Sequence, residues 1–329
     1  MSEYKGIKGL TIQEVASDPP APIEGQVWYN TSTSALKGYI NNPGSWATGG
    51  DRNSAMNAVA GQNTGTQTAA LAFGGDLGPG NTPEFFAGTE SYDGTSWTEV
   101  NDLNTGRSNL GGTGTQTSAL AFGGNQPPPQ TALTESWNGT NWTEVNDLNS
   151  ARKEFAGAGA SNTAVLAFGG SPGPVSAFTE SWNGTNWTEV NDLNQGKYGL
   201  GAAGTQTAAL TFGGNEPASK NFTELWNGTN WTEVNNLNLG RYGMAAGGTQ
   251  TSALAAGGRH TTPTPSTTEI WNGTNWTTVG DLGTARYDLA GAGANNTSAL
   301  AYSGYTGDAR TTATEEFNSG ISTKTLSTG

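Results

Sequence analysis

A seven-residue phrase that recurs at a nearly constant interval is the strongest constraint on the fold of this chain. Trp-Asn-Gly-Thr-Asn-Trp-Thr begins at four tryptophans, and a variant of it begins at Tyr92. The second tryptophans of the five copies are spaced by 45, 45, 44 and 45 residues: Trp97, Trp142, Trp187, Trp231 and Trp276. A fixed period of this length means that one supersecondary unit is repeated along the chain.

Each repeat reads as four short strands. In the copy over 197–234, a small-residue segment precedes an apolar run that ends in Gly213-Gly214. Residues 222–226 show the period-2 pattern of a strand and are followed by Asn-Gly, the strongest short hairpin signal. Trp231 then begins the last strand. Four antiparallel strands in about 45 residues, repeated around six times, predict an all-β fold, a β-propeller of four-stranded blades.

The ends of the chain decide the number of blades. The repeats cover about 52–100, 107–145, 152–190, 197–234, 241–279 and 286–327. Residues 26–48 resemble a partial closing blade, because Trp46 matches the fourth-strand tryptophans. We predict a propeller over 26–329 with seven blades, in which N- and C-terminal strands join to close the ring and remove exposed sheet edges. Six blades plus an N-terminal hairpin is the alternative. Segment 321–327 would be the last strand of the sixth unit or the missing strand of the partial blade. Residues 1–25 contain no repeat and are predicted to form an extended N-terminal arm or anchor.

Three residue types recur once per repeat, and we interpret them as structural. A residue present in every blade is better suited to holding blades together than to forming one unique site. The cations are Arg52, Arg107, Arg152, Lys197, Arg241 and Arg286, and the carboxylates are Glu90, Glu135, Glu180, Glu224 and Glu269. The fourth-strand tryptophans Trp97, Trp142, Trp187, Trp231 and Trp276 complete the set, and we expect them in the core.

Composition narrows the classes of function. The net charge is −13 with 14 Lys and Arg, which disfavours a nucleic-acid partner. There is no cysteine and only one histidine, His260, so we expect no metal site and no cofactor. The absence of an 18-residue apolar run argues against membrane insertion. The first residues show no signal peptide, which predicts synthesis in a cytoplasm. Carboxylates are numerous, yet no pair stands out, so we assign no catalytic residue and expect no enzyme.

The repeats diverge between their second and third strands, and strand alternation places these loops on one face. Loops on a rigid scaffold are a common place for binding. The longest loop carries Phe85-Phe86, the best candidate contact patch. The full set of candidate binding residues is Phe85, Phe86, Gln126, Val175, Lys220, Arg259, His260, Tyr305 and Arg310. Drift in unconstrained loops is the competing interpretation.

Two resemblances follow from these residues. The Gly-Gly strand, the Glu-containing strand and the later Trp resemble Kelch-type repeats over roughly 50–320, with Thr-Glu-x-Trp where Kelch units usually carry a Tyr. This resemblance implies a propeller and a binding role. The segment Gly25-Gln-Val-Trp-Tyr-Asn30, with Leu36-Lys37 and Trp46, resembles a motif of bacteriophage tail-fibre and virion structural proteins.

Together these observations predict a non-enzymatic protein of a phage virion: a tail fibre, a tail-associated protein or a capsid decoration. Its arm would dock to other virion proteins, and its variable loops would bind a host-surface glycan or protein. Self-association into a homo-oligomer is also open. The alternatives are a propeller glycosidase or depolymerase acting on host polysaccharide, and an intracellular Kelch-type scaffold. The sequence does not identify the ligand, the position in the virion or the copy number.

Overall fold

The computed structural model describes residues 12–20, 25–61, 65–81, 84–126, 130–260 and 263–326. The chain forms two compact units, one of residues 1–44 with 319–329 and the other of 45–318. No helix in the described part of the chain is long and apolar enough to cross a membrane.

Five sheets have four strands each, and all their pairings are antiparallel. In chain order they are β4 to β7 (Ala60–Gly61, Ala70–Phe73, Thr89–Tyr92, Trp97–Val100), β8 to β11 (Gly111–Thr115, Ser118–Phe122, Thr134–Trp137, Trp142–Val145), β12 to β15 (Ala156–Ser161, Ala164–Phe168, Thr179–Trp182, Trp187–Val190), β16 to β19 (Gly201–Thr205, Ala208–Phe212, Thr223–Trp226, Trp231–Val234) and β20 to β23 (Ala245–Thr249, Ser252–Ala256, Thr268–Trp271, Trp276–Val279).

The sixth sheet contains both ends of the described chain. Its strands are β1 (Gln13–Val15), β2 (Val27–Asn30), β3 (Ala35–Thr48), β24 (Ala290–Asn295), β25 (Ser298–Tyr302) and β26 (Thr314–Thr325). Their order in the sheet is β1-β2-β3-β26-β25-β24. Segment 321–325 therefore continues the third strand of the last repeat and is not a separate strand.

The predicted β-propeller is confirmed, with N- and C-terminal strands joined in one sheet. The innermost strands β4, β8, β12, β16, β20 and β24 contact one another in turn, and β24 contacts β4. The described residues thus form six blades, which corrects the preferred count of seven. The reason lies in Trp46, whose Nε1 donates to Thr268 Oγ1 at 2.9 Å, as Trp97 Nε1 donates to Thr314 Oγ1 at 2.9 Å. Residues 45–48 are therefore the fourth strand of the sixth blade.

Neighbouring blades are joined by buried aromatic residues and hydroxyls. Five of the fourth-strand tryptophans are buried, and Trp46 is partly buried. Each fourth-strand tryptophan donates its indole N–H to a threonine of the preceding blade; Trp187 to Thr134 at 3.1 Å is typical. The same tryptophan packs at 5.2 Å between ring centroids against Phe122. The cores lie between blades, because the twisted sheets bury both faces against their neighbours.

The recurring cation and carboxylate meet in the interior. Arg107 Nη2 lies 2.9 Å from Glu135 Oε1, and both side chains are buried. The other oxygen of Glu135 accepts from the backbone N–H of Asn104 in the preceding blade at 2.7 Å. Burial lowers the pKa of the arginines, to about 10 for Arg241. These pairs lie in the interior and, with the backbone hydrogen bond from Asn104, tie each blade to the connection that precedes it.

The first unit contains β1, β2 and part of β3. Of the predicted N-terminal arm, residues 1–11 and 21–24 lie outside the described residues, and Gln13–Val15 forms β1, which pairs parallel with β2. The carboxylate of Asp18 accepts from Lys37 Nζ, Asn30 Nδ2 and Trp28 Nε1 at 2.8, 2.7 and 3.0 Å. These hydrogen bonds lower the pKa of Asp18 to about 2. The arm is therefore partly a strand of this unit.

Candidate functional site

One end of the propeller carries both the variable loops and the connections that lead into each innermost strand. Antiparallel alternation places the second-to-third strand loops there, and backbone bridges tie them to those connections. Tyr242 pairs with Arg259, and Tyr287 pairs with Tyr305. The predicted binding face therefore surrounds the start of every innermost strand.

Six residues at equivalent positions of the blades form a closed ring of backbone hydrogen bonds at this end. Each backbone N–H donates to the carbonyl of the ring residue in the preceding blade, and the N–H of the first blade donates to the carbonyl of the last, over 2.9, 3.0, 2.9, 2.7, 2.8 and 2.7 Å. We call these residues the axial ring: Ala58, Asn109, Glu154, Gly199, Gly243 and Asp288. The ring fixes six side-chain positions around the mouth of the central channel.

The axial ring has a left-handed backbone throughout. Its φ values are 54°, 52°, 57° and 50° at Ala58, Asn109, Glu154 and Asp288, and 65° and 60° at its two glycines. This conformation is uncommon for residues other than glycine, and such strain clusters at functional sites. Glu154 is notable, because glutamate lacks the tolerance for this region that asparagine and aspartate have.

The two glycines of the ring also make room for neighbouring side chains. A Cβ on Gly199 would lie 3.2 Å from the Cβ of Tyr242, and a Cβ on Gly243 would lie 2.4 Å from Oδ1 of Asp288. Tyr242 therefore covers the bare backbone of the fourth blade, and the carboxylate of Asp288 covers that of the fifth. The backbone conformation of the ring is consequently the same in all six blades, whereas the side chains at the six positions differ.

A cavity of about 440 Å³ lies over this ring. On one side Tyr198 and Tyr242 form an aromatic wall, with ring centroids 6.1 Å apart in an edge-to-face arrangement. Both polar and apolar side chains line the rest of the cavity. The polar ones are Asn57, Asp76, Asn109, Glu154, Arg259 and Asp288, and the larger apolar ones are Val59, Leu110, Phe155, Leu200, Met244 and Leu289. A narrower cavity of about 120 Å³, lined largely by Ala and Gly of the innermost strands, adjoins the same residues along the channel.

Charged groups in and around the cavity are unevenly paired. Burial raises the pKa of Asp288 to about 6, and the negative charge of Glu154 adds to this, while Arg259 and a hydrogen bond from Asn57 oppose it. The Arg259 guanidinium lies 5.2 Å from the ring centroid of Tyr287 and 6.0 Å from that of Tyr242. These cation–π contacts hold the guanidinium at the cavity wall.

Two carboxylates have cationic partners at the edge of the cavity. Glu154 lies 3.3 Å from Lys153 Nζ, and Asp76 lies 3.1 Å from Arg310 Nη2. In the described part of the chain, no group of three or more His, Asp or Glu side chains is placed to hold a metal ion.

The structure places the nine candidate binding residues in three different settings. Arg259 lines the cavity, and two others support its wall: Arg310 through Asp76, and Tyr305 through a ring contact with Tyr287 at 5.6 Å. Phe86 packs partly buried against the core cluster that contains Met56.

The remaining candidates lie beside the cavity without lining it. His260 Nδ1 lies 2.6 Å from the carbonyl of Gly240, and Lys220 Nζ lies 5.9 Å from the ring centroid of Phe222. The other three are partly buried loop residues: Phe85, Gln126 and Val175.

Sequence reasoning missed the residues that line the cavity. Many of them occupy two adjacent positions of the repeat, the ring residue and the residue before it. All six ring residues line the cavity, and the preceding residue does so in three blades, as Asn57, Tyr198 and Tyr242, whereas Ser108, Lys153 and Tyr287 do not. The sequence does contain a signal for these residues. The residue type at the ring position differs from repeat to repeat, although the position follows the recurring cation by a nearly constant number of residues. The offset is two residues in five repeats and six residues after Arg52.

Comparisons with known proteins extend only to the fold. No protein-family model matches the sequence, and no curated protein matches it. A solved structure titled "Structure of YjhT" superposes with a TM-score of 0.67 at 13% sequence identity, and the match covers 84% of this chain and 100% of that chain. Identity at this level carries the fold alone, and the chain is an all-β protein with a β-propeller.

Proposed function

We propose that this chain is a non-enzymatic binding protein of a phage-type virion, a tail fibre, tail-associated protein or capsid decoration with a Kelch-like propeller. In this proposal the variable face contacts a host-surface molecule and the central cavity is the main contact. The observation that carries the binding role is the axial ring, where six equivalent positions differ in chemistry while the packing residues around them repeat.

Glu154 supports this argument most directly. A left-handed backbone costs a non-glycine residue about 1–2 kcal/mol, and two other blades place glycine at the same position. The ion pair of Glu154 with the partly exposed Lys153 offsets little of this conformational cost, since surface ion pairs contribute about 0–1 kcal/mol. A costly side chain at a cavity mouth is better explained by a ligand than by stability.

The virion setting rests on the segment from Gly25 to Trp46 and its resemblance to phage structural proteins. The acidic, repeat-built chain suits an exposed particle protein, for which net charge favours solubility. Docking to other virion proteins through the N-terminal arm is part of the same proposal.

Two measurements test the proposal. Mass spectrometry of purified particles should detect the chain at stoichiometric levels, and its absence from particles would refute the virion setting. Fluorescently labelled protein should bind intact cells of the host, and Arg259→Ala with Glu154→Gln should weaken this binding at least tenfold. Glu144→Gln, an exposed change on a fourth strand, is the matched control. Equal binding by all variants would show that the cavity is not the contact.

A second candidate, a polysaccharide-cleaving propeller, is favoured by one observation. The carboxyl of Asp288, with a pKa of about 6, shares a cavity with Glu154. Glycoside hydrolysis commonly uses two carboxyl groups, one of them with a raised pKa as the general acid. Incubation with host polysaccharide should release no new reducing ends if the chain only binds. Release that Asp288→Asn abolishes would establish the enzyme instead.

A further inference from the structure

We infer that the central cavity binds a single neutral or amino sugar residue, with its apolar face on the tyrosine wall and its hydroxyls on the polar side. This inference rests on the proposed binding role of the variable face and specifies the ligand class. Its basis is the division of one cavity into an aromatic side and a polar side, built by different blades.

The size of the cavity suits such a ligand. A volume of about 440 Å³ lies near the lower end of the range of roughly 300–1,000 Å³ that is typical of small-molecule sites. The closed backbone ring beneath it is held by six interblade hydrogen bonds of 2.7 to 3.0 Å. The floor is therefore preformed, and ordering it costs little on binding.

The aromatic side comes from the fourth and fifth blades, where the ring residues are glycines. With no ring side chain there, the rings of Tyr198 and Tyr242 stand beside the cavity without obstruction from their own blades. The two rings lie edge-to-face, so the C–H face of a sugar would pack on the face of one tyrosine ring, and aromatic side chains combine large apolar area with a polar tip. Arg259, held against Tyr242, adds hydrogen-bond donors at the edge of this wall.

The polar side offers mainly acceptors. The carboxylates of Glu154 and Asp288 each carry two oxygens, and Asn109 contributes an amide. Oδ1 of Asn57 is buried and has no hydrogen-bond partner among the described residues, although Asn57 donates to Asp288. A buried acceptor without a partner is costly unless a ligand or water satisfies it. Hydroxyl groups are donors that fit this set.

Charge decides between classes of sugar. Three carboxylates line the cavity, those of Asp76, Glu154 and Asp288, together with one guanidinium, that of Arg259. Arg310 and Lys153 pair with Asp76 and Glu154 at the cavity edge, so the preference between classes of sugar depends mainly on Asp288. An acidic sugar would add a fourth negative charge, whereas the ammonium of an amino sugar would be attracted. We therefore expect glucosamine to bind at least as tightly as glucose, and glucuronate to bind least.

The experiment is calorimetric titration of the full chain at pH 7.5 with glucose, galactose, glucosamine, N-acetylglucosamine and glucuronate as probes. At least one neutral or amino sugar should bind with a dissociation constant of about 1 mM or tighter, and glucuronate at least tenfold more weakly. Tyr242→Ala should lower affinity tenfold or more while keeping the Cβ that packs over Gly199. Glu154→Gln should narrow the preference for glucosamine over glucuronate.

Two exposed substitutions serve as controls. Phe178→Ala matches the loss of an aromatic ring on the same face, where Phe178 is 40% exposed, and Glu144→Gln matches the loss of a carboxylate. Both should leave sugar binding unchanged. Absence of binding by all five sugars, glucuronate as the tightest ligand, or wild-type affinity in Tyr242→Ala would each overturn the inference.

The outcome is separable from that of the proposed function. Cell binding that cavity variants abolish, together with no affinity for any sugar, would overturn the sugar site and leave host binding standing, with a protein ligand as the replacement. Sugar binding in a protein that does not bind host cells would support the site and refute the host-attachment role.

Discussion

Replacement of Glu154 by glycine should stabilise the propeller while it removes a cavity carboxylate. The backbone at Glu154 has a φ of 57°, and the equivalent glycines have 65° and 60°. Glycine therefore adopts the required conformation without strain, as it already does in the fourth and fifth blades. An increase in stability from the loss of a glutamate side chain would be direct evidence that this side chain is kept for another purpose.

The expected gain is the balance of three effects. Relief of the left-handed conformation contributes about 1–2 kcal/mol. The larger conformational entropy of glycine in the unfolded chain opposes it by about 0.4–1 kcal/mol. Loss of the partly exposed pair with Lys153 costs a few tenths of a kcal/mol at most. The net change centres on about 0.5 kcal/mol in favour of the folded state, or roughly 1–2 °C in melting temperature for a domain of this size.

Differential scanning calorimetry measures this shift, with two further variants as controls. Glu154→Gln keeps the strained backbone, so it should melt within about 0.5 °C of wild type if strain is the cause. Gly199→Ala introduces a side chain at a φ of 65° and 3.2 Å from the Cβ of Tyr242, and it should melt lower than wild type. If Glu154→Gly melts no higher than wild type, or if Glu154→Gln gains as much, the argument from backbone strain fails.

Three other substitutions test the packing and the electrostatics. Glu180→Ala leaves Arg152 buried without its carboxylate and should cost about 3–5 kcal/mol; an unchanged melting temperature would contradict the structural role of this pair. Thr134→Val removes the acceptor of the Trp187 indole N–H and should cost about 1–3 kcal/mol in chemical denaturation, whereas a neutral result would mean that the indole finds another acceptor. Asp288→Asn tests the pH dependence of stability. Burial raises the pKa of Asp288 in the folded state to about 6, so between about pH 4 and 6 the folded state binds more protons than the unfolded state. The contribution of Asp288 to stability therefore falls as pH rises. The stability of the variant relative to wild type should therefore increase from pH 4 to pH 7, and a constant difference would refute the raised pKa.

Much of the fold was predictable because the repeat carries it. The strand pattern, the paired glycines and the tryptophans recur with little change, and five of the six copies each form a sheet of four strands. The number of blades was harder to predict, since Val27–Asn30 and the start of β3 have the alternating residue pattern of blade strands. Pattern shows that a segment is a strand and on which side it buries residues, but not which sheet it joins. The hydrogen bond from Trp46 to Thr268 settles that question and depends on residues 222 positions apart.

For the candidate site, the sequence predicted only a face of the propeller, the one that carries the variable loops. The variable loops lie at the end of the propeller that carries the cavity, and one of their residues, Arg259, lines it. The axial ring was missed because Glu154 and Asp288 fall in the short connections that precede each innermost strand, where a single polar residue looks like a loop position. Their meeting arises from rotational repetition of the blades, which brings together residues about 134 positions apart in sequence.

Rotational repetition also explains why this protein tolerates strain at its centre. Packing between blades is supplied six times by tryptophan, threonine and a buried ion pair, so the loss of optimal geometry at one ring position removes a small part of the total. The ring position, by contrast, occurs once in each blade at a common axis, so six independent substitutions act on one shared cavity. Residues that stabilise the propeller are thus constrained to repeat, whereas residues at the axis gain from differing. Within the described chain, the departures from the repeat at Asn109, Glu154 and Asp288 are therefore the features on which the proposed binding role rests.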